Sequence, residues 1–292
     1  MSIRPQERVT LIGLGAIGIS FASLHLKHSE SIVSVYDPRP DLESHLQSVL
    51  PVYLDAGEDN ASLSVASLLS SGRLRICSSL ESACTDATIV QEQGPENLAF
   101  KKSTWAQVVR LVSPITHLWS STSGIAASLQ GQDLDASAQS RLLVVHPFNP
   151  PHLMPLLEIV PSPHTSAAEL DFARAYFAAL HSGHRPVVLH RERPGFVANR
   201  LAFILFREAC HLVADGVVSV RDLDTIVEAS LGLRWAVTGP FKAYNYGGGA
   251  KGLDSFLANL SGTIQEIWND AGVVNFGENS SVSGEKSDGK LM

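Results

Sequence analysis

The sequence predicts an α/β protein: a Rossmann-type, mostly parallel sheet with helices on both faces, followed by a smaller all-helical domain. Three observations carry this. Short β-branched runs alternate with helical periodicity through the first two-thirds of the chain. The glycine-rich turn Gly13-Leu14-Gly15-Ala16-Ile17-Gly18 joins the first such run to the first helical segment. After His190 the strand signals stop and helical patterns take over.

The expected strands, in order, are residues 8–13, 32–37, 73–78, 88–91, 117–120, 142–146, 156–160 and 186–190. Helical patterns cover 16–27, 96–112 and 166–181 between them. Residues 131–140 read as a polar, insertion-like loop. Pro194-Gly195 opens a helical stretch running to about Ala214, and Asp215-Gly216 ends it. Ser219, with Asp222 three residues on, is the expected N-cap of the next helix. A further helix is expected over 253–270. These patterns divide the chain near Arg191, into a first domain over 1–190 and a helical domain over 191–276. Residues 277–292, rich in Ser, Gly, Glu and Lys, are expected to be a disordered tail.

Composition narrows the function. The 292 residues are 45% hydrophobic and carry a net charge of −7, so no basic stripe exists to neutralise nucleic-acid phosphates. An anionic small substrate needs only one or two local cations and stays in play. No segment approaches the roughly 20 apolar residues of a membrane span. The most apolar helix candidate, residues 196–206, is interrupted by Asn199 and Arg200. The start of the chain lacks the layout of a signal peptide. The three cysteines, Cys77, Cys84 and Cys210, show no metal-binding spacing, so no metal is expected and a reducing, cytoplasmic setting is the simpler reading.

The glycine turn has the context that dinucleotide binding requires. Gly13 permits the tight turn, Gly15 lets a pyrophosphate approach the backbone, and Gly18 lets helix and strand pack closely. The helix that begins with Ala16 and Ile17 presents free N–H groups and the positive end of its dipole to the phosphates. Asp37 ends the second strand roughly twenty residues after the last glycine. A carboxylate there accepts from ribose hydroxyls and repels a 2′-phosphate, which points to NAD. Arg39 is a nearby cation that keeps NADP in view.

His146 closes the strand Arg141-Leu142-Leu143-Val144-Val145, at the carboxyl end where open α/β sheets bind ligands. Glu158 sits in the apolar run Leu156-Leu157-Glu158-Ile159-Val160, where a carboxylate is costly unless it meets a donor or cation. His146 is its natural partner, which makes a general base and its orienter; two separately satisfied structural residues are the alternative.

Together the motifs resemble the 3-hydroxyacyl-CoA dehydrogenase superfamily. The likeness is closest to its free-acid branch, which includes L-gulonate 3-dehydrogenase (lambda-crystallin) and carnitine dehydrogenase. The shared strings are GLGAIG, QGPENL, Ser121-Thr122-Ser123, HPFNPP, LLEIVP, PGFVANR, and LGLRW followed by Gly239-Pro240. The resemblance implies that His146 is the general base and Glu158 its partner. It implies that Ser123 and Asn199 hold the substrate oxygen, and that Glu96 and Lys101 line the nicotinamide side. Each also has a plainer role: Ser123 as a turn cap, Asn199 as a helix-interior polar residue, Lys101 as a solvated surface cation. Asn149, within HPFNPP, either touches substrate or braces its turn. The family also implies a homodimer paired through the helical domain.

The implied reaction interconverts a secondary alcohol and its ketone in a small-molecule carboxylate. HPFNPP favours a free 3-hydroxy acid over an acyl-CoA. Arg234 in LGLRW can grip a carboxylate through two parallel hydrogen bonds, or pair with Asp224 or Glu228. Two rivals remain: a non-redox enzyme using His146 on the same fold, and a structural protein of the lens-crystallin kind.

Overall fold

The computed structural model describes residues 6–54 and 63–274. The expected tail over 277–292 lies outside the described residues. Contacts divide the chain into two compact units between Val197 and Ala198, a short way past the change of pattern near Arg191.

The described residues of the first unit are built on one eight-stranded sheet. Its strands are β1 (Arg8–Ile12), β2 (Ile32–Tyr36), β3 (Leu74–Ile76), β4 (Ile89–Glu92), β5 (His117–Ser120), β6 (Leu142–Pro147), β7 (Leu156–Pro161) and β8 (Arg185–Val188). Each falls on a run predicted as a strand. They lie in the order β3-β2-β1-β4-β5-β6-β7-β8. Among the described strands only β6 and β7 pair antiparallel. The order reverses between β1 and β4, which opens the ligand crevice of a doubly wound sheet at their carboxyl ends. β4 and β6 are buried along their whole length, as strands covered on both faces must be.

Among the described residues eight helices accompany the sheet: α1 (Ala16–His28), α2 (Leu42–Leu54), α3 (Val65–Ser70), α4 (Leu80–Cys84), α5 (Leu98–Leu111), α6 (Ala127–Gln130), α7 (Ala136–Arg141) and α8 (Ala167–Ala179). They make two cores, one per face. On one face Phe21 and Leu24 of α1, Leu46 of α2 and Phe177 of α8 pack on Leu11, Val35, Trp119 and Val145. On the other, Trp105 and Val108 of α5 and Ala127 of α6 pack on Ile12, Val90, Leu118 and Val144. Val144 and Val145 face opposite cores because side chains alternate along a strand.

The expected loop over 131–140 is a correction. Asp135 caps α7 by accepting from the Ala138 N–H at 2.8 Å. Trp105 ties α6 to α5 through Gln130 at 2.9 Å. Both helices are about one turn long, too short to show a periodicity.

The second unit is helical: α9 (Ala198–Ala214), α10 (Val220–Ile226), a π-helical turn over Val227–Gly232, α11 (Leu233–Val237), α12 (Pro240–Gly247), a 3₁₀ turn over Gly249–Lys251, and α13 (Gly252–Asp270). The expected start at Pro194 moves to Ala198, because Gly195 and Phe196 take positive φ and cannot continue a helix. Ser219 caps α10 as predicted, accepting from the Asp222 N–H at 3.1 Å. Among the described residues, no helix is long and apolar enough to cross a membrane.

His25, on α1, is fully buried, and burial pushes its pKa down to about 4. The unfolded chain therefore binds a proton on this ring at a pH where the folded chain does not, and stability falls as pH drops from about 6.5 toward about 4. The contribution reaches about 3 kcal/mol at the acid end. Urea unfolding across that range should give a shallower acid slope for His25→Leu than for the natural chain. Equal slopes would show that His25 does not set the acid limb.

Candidate active site

The carboxyl ends of the parallel strands β1–β6 lie along one edge of the sheet, and at β1, β2, β4, β5 and β6 the chain leaves it through the predicted motifs. After β1 the chain turns at Gly13, whose φ of +92° suits glycine. A Cβ on Gly18 would lie 2.0 Å from the Gly13 carbonyl oxygen, so α1 can approach β1 this closely only with glycine there. Gly15 is the N-cap of α1 and supplies no side-chain bond, so the first-turn N–H groups stay uncapped. Asp37 follows β2 and reaches back to this turn. Its carboxylate accepts from the Leu14 N–H at 2.7 Å and the Arg39 N–H at 3.0 Å. The Arg39 guanidinium is engaged by Asp41 at 2.8 Å and holds that carboxyl below the usual carboxylate range.

β4 ends on Glu92, which the sequence reading missed. Its side chain is fully buried and takes both Lys101 contacts, at 3.0 and 2.9 Å. It also accepts from the Gly94 N–H at 2.6 Å and the Ser120 hydroxyl at 3.1 Å. Lys101 is therefore a buried cation beneath the Gln93-Gly94 turn, and the solvated alternative is excluded. Glu96, half-exposed, accepts from the Thr122 hydroxyl at 2.5 Å and from the Ser123 and Gly124 N–H groups at 3.1 and 2.9 Å. It thus shapes the turn that presents Ser123. Both polar atoms of the Gln93 side chain are buried without a partner, beside Gly18.

His146 and Glu158 face each other across the β6–β7 pair. The ring Nδ1 lies 2.7 Å from one carboxylate oxygen, and both side chains are 3% exposed. The other carboxylate oxygen accepts from the Val197 N–H at 3.1 Å. Phe196, fully buried at positive φ, packs its ring 5.2 Å from that of His146, and Phe148 sits 5.4 Å away. A carboxylate on Nδ1 makes that nitrogen the donor and leaves Nε2 as the basic atom. β5 and β6 are neighbours, with Ser120 opposite Val144, so the turn carrying Ser123 leaves the sheet beside His146. His152 ties the loop after His146 to α1: its Nδ1 and its N–H both meet the Ser20 hydroxyl at 2.8 Å.

The remaining expected residues lie on the loop after β6 and on the helical unit. Asn149 is exposed in that loop, before Pro150. Asn199 occupies the first turn of α9, and Arg234 is exposed on α11. Among the described residues Arg234 forms no ion pair with Asp224 or Glu228.

Two family models match nearly the whole chain: the 3-hydroxyacyl-CoA dehydrogenase NAD-binding domain over residues 8–193 and the C-terminal domain of the same enzymes over 195–285. The chain belongs to the 3-hydroxyacyl-CoA dehydrogenase family. It is an NAD-dependent oxidoreductase of that family. It is 36% identical to an L-carnitine dehydrogenase of Streptomyces griseus over 262 residues, 90% of this chain and 76% of the relative. It is 35% identical to a 3-hydroxyacyl-CoA dehydrogenase of Gibberella moniliformis over 267 residues, 90% and 79% of the two chains. Among solved structures, a 5-formyl-3-hydroxy-2-methylpyridine 4-carboxylic acid 5-dehydrogenase, an NAD⁺-dependent dismutase, superposes with a TM-score of 0.77. It shares 27% identity and covers 94% of this chain and 89% of its own. The Archaeoglobus fulgidus 3-hydroxyacyl-CoA dehydrogenase gives 0.71 at 27% identity, covering 91% and 82%.

The residues of this dehydrogenase fit NAD. The uncapped α1 start suits a pyrophosphate, the Asp37 oxygens have lone pairs left for ribose hydroxyls, and the unpartnered Gln93 amide offers both a donor and an acceptor. With Asp41 holding Arg39, the cation that kept NADP in view is already engaged.

The signal for Glu92 was present in retrospect: an acidic residue ends an apolar strand, with a lysine on the following helix. Lys101→Met would leave the Glu92 carboxylate buried without its counter-charge. It should lower unfolding free energy by about 3–5 kcal/mol. Denaturant titration reads this directly, and a loss under 1 kcal/mol would show that the pair is not what holds this turn.

Proposed function

We propose that this dehydrogenase interconverts a free 3-hydroxy acid and its 3-keto form, with His146 as general acid/base and Glu158 as its orienter. The observation that carries the proposal is the buried 2.7 Å contact between His146 Nδ1 and Glu158 at the carboxyl end of β6. Bound NAD supplies the hydride acceptor. Gly13, Gly15, Ala16, Ile17, Gly18 and Asp37 would hold its adenosine diphosphate half. Glu96 would serve the nicotinamide side by ordering the β5 turn, and Lys101 through Glu92 and Gly94.

The protein's own part is proton handling and placement. His146 Nε2 removes the hydroxyl proton as the alcohol carbon is oxidised, and returns it in reduction. Glu158 stabilises the imidazolium, and its second oxygen is fixed by the Val197 N–H. The Phe196 and Phe148 rings exclude water from the imidazole. Ser123 and Asn199 are assigned to the substrate oxygen, since each can donate to a ketone and accept from an alcohol. Asn149 and Arg234 are assigned to the rest of the substrate, with Arg234 on its carboxylate. Several relatives named L-carnitine dehydrogenase support a free acid.

A panel of free 3-hydroxy acids, carnitine and 3-hydroxyacyl-CoA thioesters, followed by NADH absorbance, tests the reading. NADH should form fastest with a free acid, and His146→Ala should lose roughly 10²–10⁴-fold in rate. Preference for the thioesters would overturn the substrate class. Tight NAD binding without NADH from any of them would favour non-redox chemistry.

The second unit supports a homodimer. Among its described residues only Cys210 and Gly272 are buried, while Phe203 of α9 and Trp268 of α13 are 64% and 69% exposed. Short helices gain most of their stability from packing an apolar face, so a second copy is the expected cover. Light scattering should give twice the chain mass, and Trp268→Glu with Phe203→Asp should shift it to the monomer. A monomeric natural chain would contradict this. Cys77, Cys84 and Cys210 are free thiols, which supports a cytoplasmic setting.

A further inference from the structure

We propose that Ser121 is a further cofactor-binding residue, and that a buried chain of hydrogen bonds from Tyr176 through His25 and Gln91 fixes its hydroxyl as a donor to an oxygen of bound NAD. The inference goes beyond the reaction above and rests on NAD binding alone.

The chain crosses the sheet face that carries α1 and α8. The Tyr176 hydroxyl lies 2.9 Å from His25 Nδ1. His25 Nε2 lies 3.1 Å from Gln91 Oε1. Gln91 Nε2 donates to the Ser121 hydroxyl oxygen at 3.0 Å. Tyr176, His25 and Gln91 are all buried. These residues belong to α8, α1, β4 and the turn after β5, so tertiary packing alone brings them together.

The chain has one direction. Burial keeps His25 neutral, with a pKa of about 4, so the ring has a single N–H. That N–H is on Nε2, because it faces Gln91 Oε1, an amide oxygen that only accepts. His25 Nδ1 is then left to accept from the Tyr176 hydroxyl. The Gln91 NH₂ donates to Ser121. Because the Ser121 oxygen accepts this bond, its proton is left for another acceptor, and among the described residues none receives it.

That acceptor is assigned to the cofactor because of the face on which Ser121 stands. Gln91 shares its face with α1, whose uncapped start suits the pyrophosphate. Glu92, Ser120, His146 and Glu158 point to the opposite face, with α5 and Phe196. The two faces thus divide the work: one network serves the acid–base pair, the other sets a hydroxyl on the dinucleotide side.

Without the Tyr176 hydroxyl, nothing forces His25 Nδ1 to accept. The ring can move its proton to Nδ1, the Gln91 amide can flip, and Ser121 can then spend its proton on Gln91. Tyr176→Phe should act on NAD affinity only through Ser121.

The test is the dissociation constant of NAD⁺, measured by calorimetry without substrate. Ser121→Ala should weaken NAD⁺ binding roughly 3- to 10-fold, the scale of one hydrogen bond. Ser121→Thr, which keeps the hydroxyl, should bind as the natural chain does. Tyr176→Phe should weaken binding, and the double variant should be no weaker than Ser121→Ala alone. If Tyr176→Phe fails to fold, Gln91→Met replaces it in the same cycle. Unchanged NAD⁺ affinity in Ser121→Ala would overturn the proposal, as would effects of the two sites that multiply. Because no turnover is needed, the result stands apart from the hydroxy-acid panel.

Discussion

The register of β6 against β7 is the constraint on which the site depends. In a sheet whose other described pairings are parallel, this antiparallel pair sets His146 directly opposite Glu158. Directly opposed residues share a face, so the imidazole and the carboxylate meet without any loop having to position them. A slip of one residue would put Ile159 opposite His146 and turn the carboxylate to the other core. The register is held by what surrounds it: Val144 and Val160 belong to one core, Val145 and Ile159 to the other. Packing on both faces of the strand pair thereby enforces the 2.7 Å contact between the two side chains.

The same strand ends carry a second kind of order. Glu92 and Lys101 form a buried ion pair that also gathers Gly94 and Ser120. Glu96 gathers Thr122, Ser123 and Gly124. Buried charges of this kind add little to net stability, and their removal one at a time is costly. Their effect is to define turns that short loops could otherwise adopt in several ways. The edge at the carboxyl ends of β4 and β5 is thus already shaped by these two carboxylates.

Much of this was legible in the sequence, and the exceptions share a physical reason. Most strands were visible as short apolar runs rich in β-branched residues, while β5, His117-Leu118-Trp119-Ser120, was carried by Leu118 and Trp119. The glycine turn and Asp37 were visible because their spacing follows from one strand, one helix and the next strand. The His146–Glu158 pair was visible because only a short loop separates the two strings. α2 was missed because Pro51 interrupts it, although its buried Leu42, Leu46, Leu50 and Leu54 recur every four residues, the spacing of a helix face. The burial of Lys101 was not visible, because its partner Glu92 hides at the end of an apolar strand. The tie between Ser20 and His152, and the chain from Tyr176 to Ser121, join residues far apart in sequence, and no local pattern marks them.

The central claim is that Glu158 acts on the reaction through the His146 ring. Glu158→Gln tests it most directly, because the amide keeps the side chain's size and an oxygen for the Val197 N–H while removing the charge on Nδ1. The account predicts that kcat falls at least roughly 10²-fold, the scale of a positioned acid–base group, while the NAD⁺ dissociation constant stays at its natural value. A variant that turns over at the natural rate would contradict it.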